Sequence, residues 1–215
     1  MAPSTARVNG TRAYNSTRRR ERARQSRERI VRVAERQFLA HGYATTSVAA
    51  IAEDANVSVD TIYKTFGGKA GLVRAIHEQA LRGEQPIPAE ERSDRLQAQQ
   101  HDPRKIIAGW GQFIAELAPR GAPIVLLIRS AAVTDPELQT LLDETDAARL
   151  RRMTTNARRL HRAGHLRPGI SVRLAADILW TYSSAELYEL LVLRRGMPVD
   201  RYGRFVADAT TAALL

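Results

Sequence analysis

The chain has 215 residues, no cysteine, and 33 Lys and Arg against 23 Asp and Glu, a formal net charge of +10 at pH 7. Without cysteine there is no disulfide framework, thiol nucleophile or cysteine zinc site, which fits a cytoplasmic setting, and the positive balance points to a polyanionic partner. No charged n-region followed by an apolar h-region opens the chain, and no run of about 18 apolar residues stands out, so neither a secretory signal nor a membrane partner is expected.

Residues 1–25 lack apolar periodicity and are rich in Arg, Ser, Thr and Asn. They read as a disordered, Arg-rich N-terminal arm. Arg7, Arg12, Arg18, Arg19, Arg20, Arg22, Arg24, Arg27, Arg29 and Arg32 are opposed there only by Glu21 and Glu28, which makes the arm a candidate phosphate or minor-groove clamp. Residues 26–82 form the next unit. A first helix over 27–41 carries Ile30, Val33, Ala34, Gln37 and Phe38 on one stripe and stops at Gly42. A second begins after Ser47, a good N-cap, with Val48, Ile51, Ala52 and Ala55 on one face. Asn56 tolerates the left-handed backbone that a sharp turn needs, and Ser58 caps the next helix at once.

This is helix-turn-helix punctuation. In that motif the second helix enters the major groove with its N-terminal residues against base edges. Ser47, Thr61, Tyr63, Lys64 and Lys69 carry groups that donate to phosphate oxygens, and the amides starting a helix near Lys69 offer a further anion site. Val59 suits a thymine methyl and Asp60 a cytosine amino group. Thr46 and Ser58 complete the candidate DNA-binding set.

The stretch GYATTSVAAIAEDANVSVDTIYKTFGGKAGL resembles the N-terminal signature of the TetR/AcrR transcriptional regulators. The likeness covers about residues 28 to 81 and aligns Gly42-Tyr43, Ser47, Ile51-Ala52, Val57-Ser58, Thr61-Ile62-Tyr63, Phe66-Gly67 and Lys69. The resemblance implies DNA contact at Ser47, Thr61, Tyr63, Lys64 and Lys69, with Val59 and Asp60 in base-reading places. Asp60 departs from the small or neutral residue expected there, since a carboxylate near phosphates needs a cytosine amino group or a basic neighbour.

A fourth helix contains Leu72, Val73, Ile76 and Leu81. Residues 83–102, with Pro86 and Pro88 and little apolar content, read as a linker. Helix signals then recur, predicting helices over 103–118, 123–133, 136–163, 171–195 and 198–214 within a helical domain spanning 103–215. No strand alternation or hairpin turn is present, so the fold class is all-α: a three-helix helix-turn-helix domain and a larger C-terminal helical domain.

In TetR-like proteins the larger domain dimerises and binds a small-molecule inducer, and the resemblance implies both here. Candidate dimer residues on the last two helices are Leu187, Leu190, Leu191, Tyr202, Phe205, Val206, Ala209 and Ala213, which form apolar stripes with small residues for close approach. Trp110, Phe113, Ile114 and Leu117 fall at i, i+3, i+4 and i+7, and Met153, Trp180 and Tyr182 lie on helices able to face them. They are candidate ligand-binding residues, with Arg129, Ser183, Ser184 and Glu186 as polar partners, although such a stripe also serves as plain core.

His161 and His165 have metal-pair spacing, but Gly164 between them and the lack of a third ligand favour two solvated histidines, so no metal and no cofactor is expected. The favoured function is a sequence-specific DNA-binding regulator, a repressor released from its operator by a small molecule and acting as a homodimer. The alternative is a non-specific or architectural DNA-binding protein acting through the Arg-rich arm. A helical enzyme is a remote third, since the chain has no phosphate loop, nucleophile elbow or metalloprotease His-Glu pair.

Overall fold

The computed structural model describes residues 9–82 and 87–215. Two compact units divide between Leu72 and Val73. The boundary therefore falls within a helix rather than after residue 82, where the punctuation of the sequence places it.

The first unit holds α1 (Asn9–His41), α2 (Val48–Asp54), α3 (Val59–Phe66) and the start of α4 (Lys69–Arg82). Ile30, Ala34, Phe38, Ile51, Ile62 and Leu72 are buried and form its interior. Two polar links tie α1 to α2 beside that core: Gln37 Nε2 donates to Asp54 Oδ2 at 2.7 Å, and Arg36 pairs with the same oxygen at 3.0 Å. These bonds, Gln37's first and Arg36's second, hold the Asp54 carboxyl below its ordinary pKa. Asn56 (φ 50°) and Gly67 (φ 80°) supply the left-handed residues that end α2 and α3.

One expectation needs correction here. The arm expected to be disordered over residues 1–25 is helical from Asn9 onward as the N-terminal part of α1; residues 1–8 lie outside the described residues. Arg24 spans Glu21 at 2.7 Å and Glu28 at 2.6 Å along one face. Such i,i+3 and i,i+4 pairs favour helix in a segment with little apolar surface to bury.

The second unit contains the rest of α4 and then α5 (Ala89–Gln99), α6 (Pro103–Ala132), α7 (Pro136–Arg162), α8 (Val172–Tyr182), α9 (Ala185–Tyr188) running into a π-helical turn over Glu189–Arg194, and α10 (Val199–Leu214). There is no strand among the described residues. The starts follow their punctuation. Asp102 and Asp135 accept from the amides of Arg104 and Glu137 at 2.9 and 3.0 Å, each ahead of a proline at a first helical position, and Ser171 accepts from Leu174 N at 3.1 Å.

Three boundaries differ from expectation. The linker at 83–102 contains α5, anchored by Arg92 to Glu116 of α6 at 2.6 Å and by Arg152 of α7 to Asp94 at 2.8 Å. The helices expected over 103–118 and 123–133 are one, since α6 passes through Pro119 and Pro123. Each interior proline costs roughly 3 kcal/mol, and the buried row Ala122, Ile124, Leu127, Ile128 and Ala131 offsets it by keeping the helix seated on the core. The helix expected over 171–195 breaks at Ser183-Ser184, where the Ser184 hydroxyl caps a new start by accepting from Leu187 N at 3.3 Å.

By length and composition α6 also matches a membrane span, with an 18-residue window of mean hydropathy 1.2. Its apolar side chains meet α7, α8 and α10 in a core that includes Ile106, Ile107, Trp110, Ala157, Leu160, Ala175 and Leu179. Gly111 and Gly203 bring α6 and α10 close together within this unit. A Cβ at Gly111 would lie 2.4 Å from the Gly203 carbonyl oxygen, and one at Gly203 would lie 2.7 Å from that of Gly111.

Candidate functional site

The reading surface is built by two serine caps. Ser47 Oγ accepts from Ala50 N and Ser58 Oγ from Thr61 N, both at 3.1 Å, so both hydroxyl hydrogens stay available. Ser58 and Thr61 hydroxyls also meet at 2.8 Å, which fixes the leading turn of α3. Removing the cap leaves the Thr61 amide without its partner. Ser58→Ala should therefore cost about 1 kcal/mol and lower the thermal midpoint of the first unit, read by circular dichroism, with a weaker DNA complex. An unchanged midpoint would show that the cap does not matter.

Across α3, Ile62 is fully buried while Val59 and Tyr63 are 40% and 54% exposed. One side holds the helix in the unit and the other is free. The Tyr63 ring lies over Gly68, where an added Cβ would sit 3.4 Å from Tyr63 Cε1. Asp60 finds the basic neighbour that its charge requires, since Lys64 Nζ pairs with Asp60 Oδ2 at 2.6 Å one turn on. Lys69 is held against the start of the turn, its Nζ 4.2 Å from the Tyr43 ring centroid and 3.5 Å from the Ala44 carbonyl oxygen.

Of the nine DNA-binding candidates, the structure brings Ser47, Ser58, Val59, Asp60, Thr61, Tyr63, Lys64 and Lys69 to α3 and the helix starts around it. Thr46 departs from them. It is 5% exposed, and its hydroxyl donates to the Gly42 carbonyl at 2.8 Å, bracing the turn before α2 rather than facing outward. Sequence reasoning overlooked Arg27, whose guanidinium stacks on the Phe66 ring at 4.6 Å. That contact joins the basic helix α1 to the end of α3.

The second unit holds a cavity of about 820 Å³. Among the ligand candidates, Trp110, Phe113, Ile114, Leu117, Arg129, Met153, Tyr182, Ser183, Ser184 and Glu186 all line it, together with His77, Ala80 and Leu81 of α4. Trp180 does not. Its ring is stacked by Arg149 at 4.2 Å on the other side of α8 from Leu179, which does line the cavity.

The charges of the wall are largely answered within it. Arg129 pairs with Glu186 and, at 3.6 Å, with Asp146; Arg149 meets Asp146 at 3.3 Å; Arg152 and Arg159 share Asp94. Burial works against the ionised Asp94, but the hydrogen bonds from Arg152 and Arg159 hold its pKa below the usual carboxylate value. Burial pulls the Arg149 pKa down. Tyr202, beneath the wall, is pushed up to about 12 by burial and stays a neutral phenol.

The dimer candidates split into two groups. Leu191, Tyr202 and Val206 are 8%, 1% and 3% exposed and close the core of their own subunit, with Tyr188 edge-on to Tyr202 at 5.3 Å. They are not available to a second chain. Leu190 and Phe205 are 51% and 40% exposed, and Leu187, Ala209 and Ala213 are half-buried.

Residues 30–76 match the family model described as bacterial regulatory proteins, tetR family. The HTH-type transcriptional regulator TtgR of Pseudomonas putida is 44% identical over 57 residues, 26% of this chain and 27% of that protein, so the match spans about a quarter of the relative's length. NalD, the secondary repressor of the MexAB-OprM multidrug efflux pump in Pseudomonas aeruginosa, superposes with a TM-score of 0.70 at 21% identity over 91% of this chain and 98% of its own. Bacillus subtilis FadR, solved with stearoyl-CoA, gives 0.69 at 18% identity over 87% and 99%. The helix-turn-helix carries the sequence likeness and the whole chain carries the fold, and on these grounds the protein belongs to the tetR family of bacterial transcriptional regulators.

Proposed function

We propose that the protein is a cytoplasmic, sequence-specific repressor that binds its operator as a homodimer and is released by a small molecule seated in the cavity of the second unit. The observation that carries the first part is the outward face of α3, where Val59, Tyr63 and the Asp60–Lys64 pair stand exposed on a helix whose other side is locked into the core. A helix presented in this way meets base edges in a major groove while its flanks meet phosphates. Dimerisation supplies the second half-site, and Leu190, Phe205, Leu187, Ala209 and Ala213 are the side chains left to make it. The repressor assignment follows NalD, and a ligand in the helical unit follows the stearoyl-CoA of FadR.

Release works through α4. That helix begins at Lys69 beside the recognition helix and ends with His77, Ala80 and Leu81 in the cavity wall. A ligand that prefers one setting of α4 by about 1.4 kcal/mol changes operator occupancy tenfold, within the usual 1–3 kcal/mol of allosteric coupling.

The exposed arginines of α1, among them Arg19, Arg20, Arg22 and Arg29, favour a second reading in which binding is electrostatic and indifferent to sequence. Fluorescence anisotropy on DNA flanking the gene, against scrambled DNA of equal length across a salt series, separates the two. The repressor reading expects saturable binding to the flanking DNA that survives moderate salt and falls at least about tenfold in Tyr63→Ala/Lys64→Ala. Equal, steeply salt-dependent binding to both DNAs, unaffected by that variant, would contradict it.

A further inference from the structure

The cavity wall contains two polar atoms that the protein leaves unanswered. His77 on α4 is 6% exposed and Trp110 on α6 is 8% exposed, and both line the cavity. His77 Nε2 and Trp110 Nε1 are buried with no hydrogen-bond partner among the described residues. Native proteins keep few such atoms, because burying a polar group unpaired forfeits its bonds to water.

The chemistry of the two atoms narrows what would answer them. An indole N–H only donates, and a neutral imidazole nitrogen donates or accepts according to its tautomer. Burial lowers the His77 pKa, with Arg74 acting in the same direction and Glu78 opposing, so the ring is neutral near pH 7. Arg129, Arg149, Arg152 and Arg159 are already paired with Asp146, Glu186 and Asp94. The open demand is for an uncharged oxygen between apolar walls such as Phe113 and Met153.

We propose that the cavity takes an uncharged, mainly aromatic molecule bearing a hydroxyl or carbonyl oxygen, and that Trp110 Nε1 and His77 Nε2 are the groups that hydrogen-bond to its polar end. This rests on the reading of the cavity as a ligand site and adds the class of ligand and the residues that select it. His77 gives the choice a regulatory consequence, because it stands on the helix that begins in the DNA-binding unit.

Isothermal titration of the full chain with naphthalene, 2-naphthol and 2-naphthoate tests it, since the three share one apolar frame and differ in the polar group. The wild type should bind 2-naphthol at least about tenfold more tightly than naphthalene, with 2-naphthoate weakest. In Trp110→Phe and His77→Leu that advantage should shrink to about threefold or less while naphthalene affinity is kept, which also shows that the cavity is still formed. Equal affinity for naphthol and naphthalene, an advantage that survives in both variants, preference for the naphthoate, or no binding of any of the three would overturn the assignment. Operator DNA added to the same samples keeps the two readings apart: naphthol that binds through Trp110 and His77 yet leaves the DNA complex intact counts against ligand-driven release and not against the selection rule.

Discussion

Replacing Gly71 with alanine should abolish specific DNA binding while leaving the helical unit beyond it intact. Gly71 lies in the first turn of α4, and a Cβ there would fall 1.6 Å from the Phe66 carbonyl oxygen and 2.8 Å from the Phe66 carbonyl carbon, both of them backbone atoms. No rotamer change relieves such a clash, so either α3 or α4 must move. Phe66 is the last residue of the recognition helix, and displacing it also disturbs the stack of Arg27 on its ring. Overpacking typically costs about 1–3 kcal/mol, and more when the obstruction is main chain. The result can be assigned to one unit because both tryptophans, Trp110 and Trp180, lie in the second unit. Urea unfolding followed by tryptophan fluorescence should keep its midpoint in Gly71→Ala, whereas far-ultraviolet circular dichroism should gain an earlier transition and operator affinity should fall beyond about a hundredfold. Wild-type operator affinity in this variant would show that the α3–α4 turn has slack that the structure does not reveal.

Gly203→Val should have the largest effect in the second unit. Gly203 and Gly111 let α10 and α6 approach backbone to backbone, and a Cβ at Gly203 meets both the Gly111 carbonyl oxygen at 2.7 Å and the Ala115 Cβ at 2.9 Å. Valine adds two further methyl groups to a space that does not hold the first atom. The same crossing seats Tyr202, Val206 and Ala207 beside the cavity, so forcing the helices apart opens core and ligand site together. A cost of about 3 kcal/mol corresponds to a drop of roughly 6–12 °C in the midpoint of a domain of this size. The tryptophan-detected transition should fall by that amount. Should it stay within about 1 °C, the close crossing is not a constraint on stability.

The contrast between these glycines and the serine caps marks what the sequence discloses. The helix-turn-helix was legible because its signals are local: Ser47 and Ser58 cap the helices they precede, Asn56 turns left-handed where a turn is needed, and Gly67 ends α3. The starts of α6 and α7 were legible for the same reason, an aspartate ahead of a proline. The breaks that failed were decided at long range. Pro119 and Pro123 stop a helix by local rules, but the row of buried residues after them holds α6 together. Charge pairs along α1 and between α5 and its neighbours make helices of segments whose composition suggests coil.

The site residues follow the same division. On α10 two apolar rows run side by side, and periodicity does not say which faces inward. The contact of Gly203 with Gly111 turns Tyr202 and Val206 to the core and leaves Phe205 outside. Trp180 follows Leu179 directly, and one residue of helix rotates it off the cavity. His77 was hidden in the sequence as one polar residue on an otherwise ordinary helix. Only its burial beside the cavity, with an unanswered nitrogen, singles it out.

The central claim is that α3 reads DNA sequence in a dimer. Selection of bound duplexes from a random library by the full chain, with sequencing after several rounds at moderate salt, tests it on any operator the protein prefers. The account predicts enrichment of an inverted repeat whose half-sites are centred about 10 base pairs or a multiple of that apart, and loss of that motif with Tyr63→Ala/Lys64→Ala. Recovery of DNA with no enriched motif, or of the same motif with the variant, would contradict it.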